Sequence, residues 1–239
     1  MRIDKYLSHS TSASRQEVKR WLKKGEVCVN GEVVKSAKRQ INECQDTVLL
    51  AGQPLVYQSE YYFMMYKPAG VITATCDDRQ RTVMDVLSEK DWRSDLFPVG
   101  RLDKDTTGLL LLTNNGPLAH DLLAPKKHVA KIYEALIEGT VTDKEVDCFK
   151  AGISLDGQRL QPAQLEIIQF IGDNQTFIRL NIHEGKFHQV KRMFQAVGMR
   201  VLKLHRVQMG SLKLDSSLQP GDYRPLTEEE IQQLKEGRK

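Results

Sequence analysis

The sequence predicts an α+β chain: a small N-terminal α/β module, then a larger domain built on a mixed, mainly antiparallel sheet with flanking helices. Three observations carry this. Strand-sized apolar runs recur at hairpin-like spacing with few β-α-β repeats between them. Helical periodicity is plain only in short, well-punctuated segments. A length of 239 residues, 40% hydrophobic and 28% charged, allows one sizeable globular domain and an appendage.

The N-terminal elements follow in order. A short helix covers about Asp4 to Ser8. Ser14 and Glu17 then form a capping box. It starts a helix with Val18, Trp21 and Leu22 on one face and Arg15, Lys19, Arg20, Lys23 and Lys24 around the rest. Gly25 stops it. Asn30-Gly31 lies between the β-branched runs VCV and EVV and predicts a type I′ hairpin. A further strand is expected over 47–51. Residues 51–60, AGQPLVYQSE, read as a linker, which puts the module at 1–58 and the second domain at 59–239. Residues 1–50 hold 10 Lys/Arg against 6 Asp/Glu, and the remainder holds 25 of each. The net charge of +4 therefore sits on the module, as in an anion-binding appendage on a neutral body; an ordinary solvated surface is the alternative.

In the second domain, strands are expected at 61–66, 109–113, 131–139, 163–168 and 176–182, with a turn at 172–174. A helix over about 188–197 carries Val190, Met193, Phe194 and Val197 at helical spacing and ends at Gly198. Thr227 and Glu230 open another that runs to about Lys235.

Several function classes are excluded. No apolar run reaches the ~20 residues of a membrane span. MRIDKYLSHS lacks a signal-peptide core, so a cytoplasmic protein is expected. Cys28, Cys44, Cys76 and Cys148 form no CxxC pair and read as free thiols. No phosphate-binding glycine loop and no G-x-S-x-G elbow occur. His183-Glu184 fails the H-E-x-x-H pattern because Phe187 stands where the second His belongs. The expectation is no metal and no nucleotide cofactor.

The sharpest stretch is GRLDKDTTG, Gly100 to Gly108, leading into LLLLTNNG. A polar, glycine-flanked loop feeding a buried strand can present a carboxylate to a cleft. Asp103 or Asp105 capping main-chain N–H groups in an ordinary turn is the alternative.

Two resemblances sharpen this. RIDKYL, the basic helix and GEVCVNGEVV look like the RNA-binding module named after the fourth small-subunit ribosomal protein. YKPAGVITA (66–74), GRLDKDTTGLLLLTNNG (100–116), KIYEA (131–135) and EGKFHQVKRMFQAVG (184–198) occur in the order of the motifs of pseudouridine synthases. The branch resembled modifies ribosomal RNA and carries such an N-terminal module. The resemblance implies Asp103 as the catalytic carboxylate, Tyr133 as its aromatic partner and Lys191 as its basic partner. Many relatives carry Arg at the last position, and Lys cannot make the bidentate contact. The implied reaction detaches uracil from ribose, turns it and rejoins it through carbon 5, with no redox change and no cofactor. The carboxylate could attack ribose carbon 1 or base carbon 6, or assist elimination at the sugar. Tyr133 could stack on the flipped base; an ordinary half-buried strand aromatic is the alternative.

At about 100° per residue, Lys191 lies on the flank of its helix and Arg192 points outward. This assigns Lys191 to the Asp103 pair and Arg192 to RNA; both as plain surface cations is the alternative. The cations Arg179, Lys186, Lys191, Arg192, Arg200, Lys203 and Arg206, facing only Glu184, suggest the wall of an RNA groove; a solvated face is the plainer reading. With Arg15, Lys19, Arg20, Lys23 and Lys24 of the module, Lys67, Arg101, Lys186 and Arg192 complete the expected RNA contacts. The expected partner is ribosomal RNA or a ribosomal assembly intermediate, bound by a monomer. FHQVKRMFQAVG, LHR and GDYRPLTEEE most resemble the small-subunit enzyme, ahead of large-subunit relatives. A non-catalytic assembly factor and a glycosidase-like hydrolase using Asp105 as second carboxylate are the competing functions.

Overall fold

The structure, a computed structural model, describes every residue except Ser12, Cys44, Val56, Arg238 and Lys239. The chain divides into two compact units, Met1–Tyr61 with Ser88–Ser94, and Tyr62–Leu87 with Asp95–Lys239.

The first unit contains α1 (Ile3–Thr11), α2 (Arg15–Lys24), β1 (Val27–Val29), β2 (Glu32–Val33), β3 (Val48–Leu50) and β4 (Gln53–Leu55). The Ser14–Glu17 capping box forms with both reciprocal bonds, and Gly25 closes α2 in the left-handed region at φ 76°. Asn30 and Gly31, at φ 50° and 84°, make the hairpin turn the sequence predicts. The linker expected over 51–60 is overturned in part. Ala51 and Gly52 turn left-handed, and Gln53–Leu55 pairs antiparallel with β3. Pro54 is tolerated because β4 is the last strand in the order β2-β1-β3-β4, where one face of the backbone needs no partner. Ile3, Leu7, Val18, Leu22, Val27 and Val48 form the core. Residues 88–94 join this unit, with the Arg93 guanidinium 5.0 Å from the centre of the Tyr61 ring.

The second unit adds β5 (Tyr62–Lys67), β6 (Phe97–Pro98), β7 (Thr107–Thr113), α3 (Gly116–Leu123), β8 (Lys131–Glu138), α4 (Asp143–Ala151), β9 (Ser154–Leu155), β10 (Gln158–Arg159), β11 (Gln164–Ile171), β12 (Gln175–Ile182), α5 (Gln189–Ala196), β13 (Arg200–Met209), β14 (Leu212–Lys213), β15 (Tyr223–Pro225) and α6 (Glu228–Glu236). Its main sheet runs β11-β12-β8-β13-β7-β5-β15, with β14 beside β13 and β6 beside β7. Every pairing of these strands is antiparallel except β7 with β13, which is parallel and brief: His205 opposite Thr107 and Arg206 opposite Gly108. That seam joins two hairpin-built halves. One half packs Tyr133, Ala135, Ile137, Ile178 and Leu180 against α4 and α5. The other packs Tyr62, Met64, Leu109 and Leu111 against α3 and α6. On α5, Val190, Met193 and Phe194 are buried, each worth about 1.5–3 kcal/mol of apolar transfer, and this face fixes the helix azimuth.

No helix among the described residues is long and apolar enough to cross a membrane. Cys28, Cys76 and Cys148 are free thiols; Cys44 lies outside the described residues.

Candidate active site

The loop Gly100–Gly108 enters β7 just before the parallel seam, and its main chain is pinned from several sides. The Thr73 hydroxyl donates to the Leu102 carbonyl at 2.8 Å and accepts from the Leu102 N–H at 3.1 Å. Gly70 N–H donates to the Lys104 carbonyl at 2.8 Å, and Thr106 N–H closes a turn onto the Asp103 carbonyl at 3.1 Å. The Lys67 ammonium, wholly buried, donates to the carbonyls of Pro68 (2.9 Å), Lys104 (3.3 Å) and Thr106 (2.8 Å). Burial pushes its pKa down to about 8, with the charges of Asp105 and Asp103 working the other way. Lys67 was expected to touch RNA. The structure corrects that: its charge is spent on the carbonyls of the Asp103 loop, out of solvent's reach.

This frame presents Asp103 to a small cavity of about 70 Å³ that Tyr133, Thr106, Arg101, His188 and Lys191 also line. Lys191 Nζ lies 3.1 Å from Asp103 Oδ2 and 2.6 Å from Asp105 Oδ1. One ammonium thus bridges two carboxylates, a point contact where an Arg would lie flat. Asp105 is 74% exposed, so water screens its pair far more than that of Asp103, at 24%. Partial burial tends to raise the Asp105 carboxyl, but the Lys191 hydrogen bond and charge outweigh it and hold it below its ordinary value. Burial likewise tends to lower the Lys191 ammonium, and the two carboxylates hold it above its ordinary value.

Tyr133 is buried in β8, opposite Leu180 on one side and Arg206 on the other, so the strand fixes its ring. His188, which the sequence reading did not single out, brings Nε2 to 3.4 Å from Asp103 Oδ1. Its signal was position: it precedes α5 directly, three residues before Lys191.

Other expected contacts sort differently. Arg101 and Lys186 are exposed at the cavity, Lys186 reaching Gln158 at 3.2 Å. Arg192 is ion-paired with Asp156 rather than free for RNA. The expected cationic wall is largely neutralised. Arg179 pairs with Glu134 at 2.9 Å and Arg200 with Glu138 at 2.7 Å, while Arg206 is buried and donates to the Leu109 carbonyl. In the first unit, Arg15, Lys19, Arg20, Lys23 and Lys24 are exposed, and Lys24 lies 3.6 Å from Glu26. Arg15 and Lys19 join Lys5 around one concavity. A larger hollow of about 600 Å³ in the second unit, lined by His128, Val146, Leu165 and His183, holds no carboxylate–cation pair. The carboxylate–cation pair lies at the smaller cavity. No cluster of metal-binding side chains occurs among the described residues.

A family model described as RNA pseudouridylate synthase matches residues 61–196, and one described as the S4 domain matches residues 1–46. The chain belongs to the pseudouridine synthase family. It is 46% identical over 237 residues to the uncharacterized RNA pseudouridine synthase YtzG of Bacillus subtilis, covering 99% of each chain. It is 41% identical over 235 residues to the ribosomal small subunit pseudouridine synthase A of Escherichia coli K12, covering 97% of this chain and 98% of that one. The Vibrio cholerae protein of the same name is 41% identical over 233 residues, with the same coverage. A crystal structure described as a pseudouridylate synthase superposes with a TM-score of 0.67 at 36% identity, covering 98% of this chain and 99% of that one. The synthase thus has an α+β fold that superposes on a pseudouridylate synthase over nearly its whole length, and its acidic loop lies within the matched segment.

Proposed function

We propose that the synthase isomerises a uridine of small-subunit ribosomal RNA to pseudouridine, with Asp103 as the reacting carboxylate. The single observation that carries the assignment of Asp103 is its place in the cavity, facing Lys191 at 3.1 Å beside the fixed ring of Tyr133. In the reaction the bond from ribose carbon 1 to uracil nitrogen 1 breaks. The base turns, and a bond from carbon 5 to the same ribose carbon forms. Carbon 5 gives up its proton and nitrogen 1 gains one, so atoms and electrons balance without a cofactor. A uridine inside structured RNA reaches such a cavity only by leaving its stack. Tyr133 then stacks on the extruded uracil, Lys191 orients Asp103 toward the sugar and base through its 3.1 Å contact, and residues 1–58 hold RNA through Lys5, Arg15 and Lys19. What supports the small-subunit target is that relatives 41% identical over 97% of the chain carry that name. We infer a cytoplasmic location from the proposed ribosomal RNA target.

The test is tritium release from RNA labelled at uridine carbon 5. Asp103→Asn is expected to bind RNA as the wild type does and to release no tritium; substantial release refutes the assignment. Reverse-transcription mapping of pseudouridine, with and without the protein, identifies the RNA. A signal confined to large-subunit RNA overturns the target while keeping the enzyme.

A further inference from the structure

We propose that Phe187 is a stacking platform for the nucleobase adjoining the target uridine, extending the binding site outward from the reacting carboxylate. The proposal rests on the reading that uridine is turned into the Asp103 cavity. Phe187 is 73% exposed, the most exposed large apolar side chain among the described residues. Its ring is nevertheless ordered against one partner, stacked on His188 with centroids 3.8 Å apart and planes 19° from parallel.

The backbone beneath the stack is strained. His188 sits at φ 48°, left-handed, where a residue with a full side chain is disfavoured. An ordinary helix start at Gln189 would take an extended residue there. Left-handed non-glycine residues persist where the surroundings require them, often at ligand clamps. Here the strain sets two successive rings face to face and brings the inner one to 3.4 Å from Asp103.

The stack therefore begins at the rim of the cavity and ends on an open aromatic face. A nucleotide extruded into the cavity leaves its chain neighbours at that rim. Bases splayed from RNA are held by stacking on Phe, Tyr, Trp or His faces, with cations taking the phosphates. Arg101 and Lys186, both exposed and lining the same cavity, supply the cations.

The test uses the full-length synthase and a small-subunit RNA fragment in which the wild type forms pseudouridine. Two further fragments carry an abasic nucleotide immediately 5′ or 3′ of the target. Phe187→Ala removes an exposed ring that packs on no core cluster, so the fold is retained. KM is expected to rise about 5- to 150-fold, the worth of one base–aromatic stack, while kcat falls much less. Phe187→Trp restores KM. On one of the abasic fragments the penalty of Phe187→Ala disappears, because the partner is already gone. Equal KM for wild type and Phe187→Ala, or a penalty that survives on both abasic fragments, overturns the platform while Asp103 stands. If no small-subunit RNA fragment is found in which the wild type forms pseudouridine, the functional reading fails and the platform falls with it.

Discussion

Gly108→Ala tests the seam on which the second unit depends. Gly108 has φ 104°, and a Cβ there would stand 2.3 Å from the Arg206 carbonyl oxygen and 2.7 Å from the Arg206 nitrogen. Those atoms belong to the backbone of β13 in its only parallel pairing with β7, so no side chain can swing away. The left-handed backbone costs a residue with a Cβ about 1–2 kcal/mol. Relieving the overlap requires the strands to part by about an ångström, a further ~1–3 kcal/mol or more by analogy with overpacked cores. The sum, ~2–5 kcal/mol, is a large part of an ordinary folding margin of about 5–15 kcal/mol. With a urea slope of about 2 kcal/mol per molar, the midpoint should fall by ~1–2.5 M. Gly172→Ala is the control in the same unit: φ is 59° and nothing lies within 4 Å of the added Cβ, so only the backbone cost applies. Both tryptophans, Trp21 and Trp92, belong to the first unit, so far-UV circular dichroism rather than fluorescence should follow this sheet. If Gly108→Ala loses no more than Gly172→Ala, the steric argument is wrong.

Lys67→Met keeps the apolar stem but removes the donor to three carbonyls. Because misplacing a reacting group by about 1 Å can cost on the order of 100-fold, tritium release should show kcat falling toward that extent. The same residue has a pH signature. Its folded pKa of about 8 lies below the ordinary 10.5, so between those values the unfolded chain binds the extra proton. This group alone therefore makes the wild type more stable as pH rises across that window, and Lys67→Met should lack the slope in urea titrations. Asp215 is held down to about 2 by hydrogen bonds from Ser217 and then by Arg224. Its contribution is complete above 3.8 and is lost as pH falls through about 2. A carboxyl NMR titration of Arg224→Gln should move it upward, whereas no movement would show that Ser217 alone holds it. In the first unit, Arg15→Ala with Lys19→Ala should flatten the plot of log affinity against log salt by roughly 0.7–0.9 for each phosphate no longer neutralised. An unchanged slope would mean that α2 touches no phosphate.

What the sequence made legible was local chemistry. Ser14 with Glu17 and Thr227 with Glu230 cap helices as their spacing says, because both partners lie within one turn. Asn30-Gly31 turns where no other signal was needed. The α+β class, the expected strands and the family motifs were readable for the same reason. The helices α3 and α4 went unread although Asn115 accepts from Leu118 N–H and Thr142 and Glu145 form a capping box. Their apolar faces are too short to show a period. The run 51–60 read wholly as a linker because strand order, which excuses Pro54 at an edge, is not a local property. Lys67 read as a surface cation because its partners are carbonyls, whose positions no side-chain pattern records. Arg192 pointed outward as the helix azimuth required, but Asp156, which claims it, is 36 residues away.

The bridging ammonium has a consequence for biosynthesis. Lys191 lies 86 residues beyond the Asp105 it binds, while the main-chain anchors of the acidic loop precede it. A growing chain therefore exposes its acid long before the counterion has been translated. Until α5 docks, the carboxylate has neither the ammonium nor the histidine ring beside it, and the rim that would receive a base is missing. The cavity around that acid is thereby assembled only once the last third of the chain has been made, although the cationic N-terminal module is complete long before.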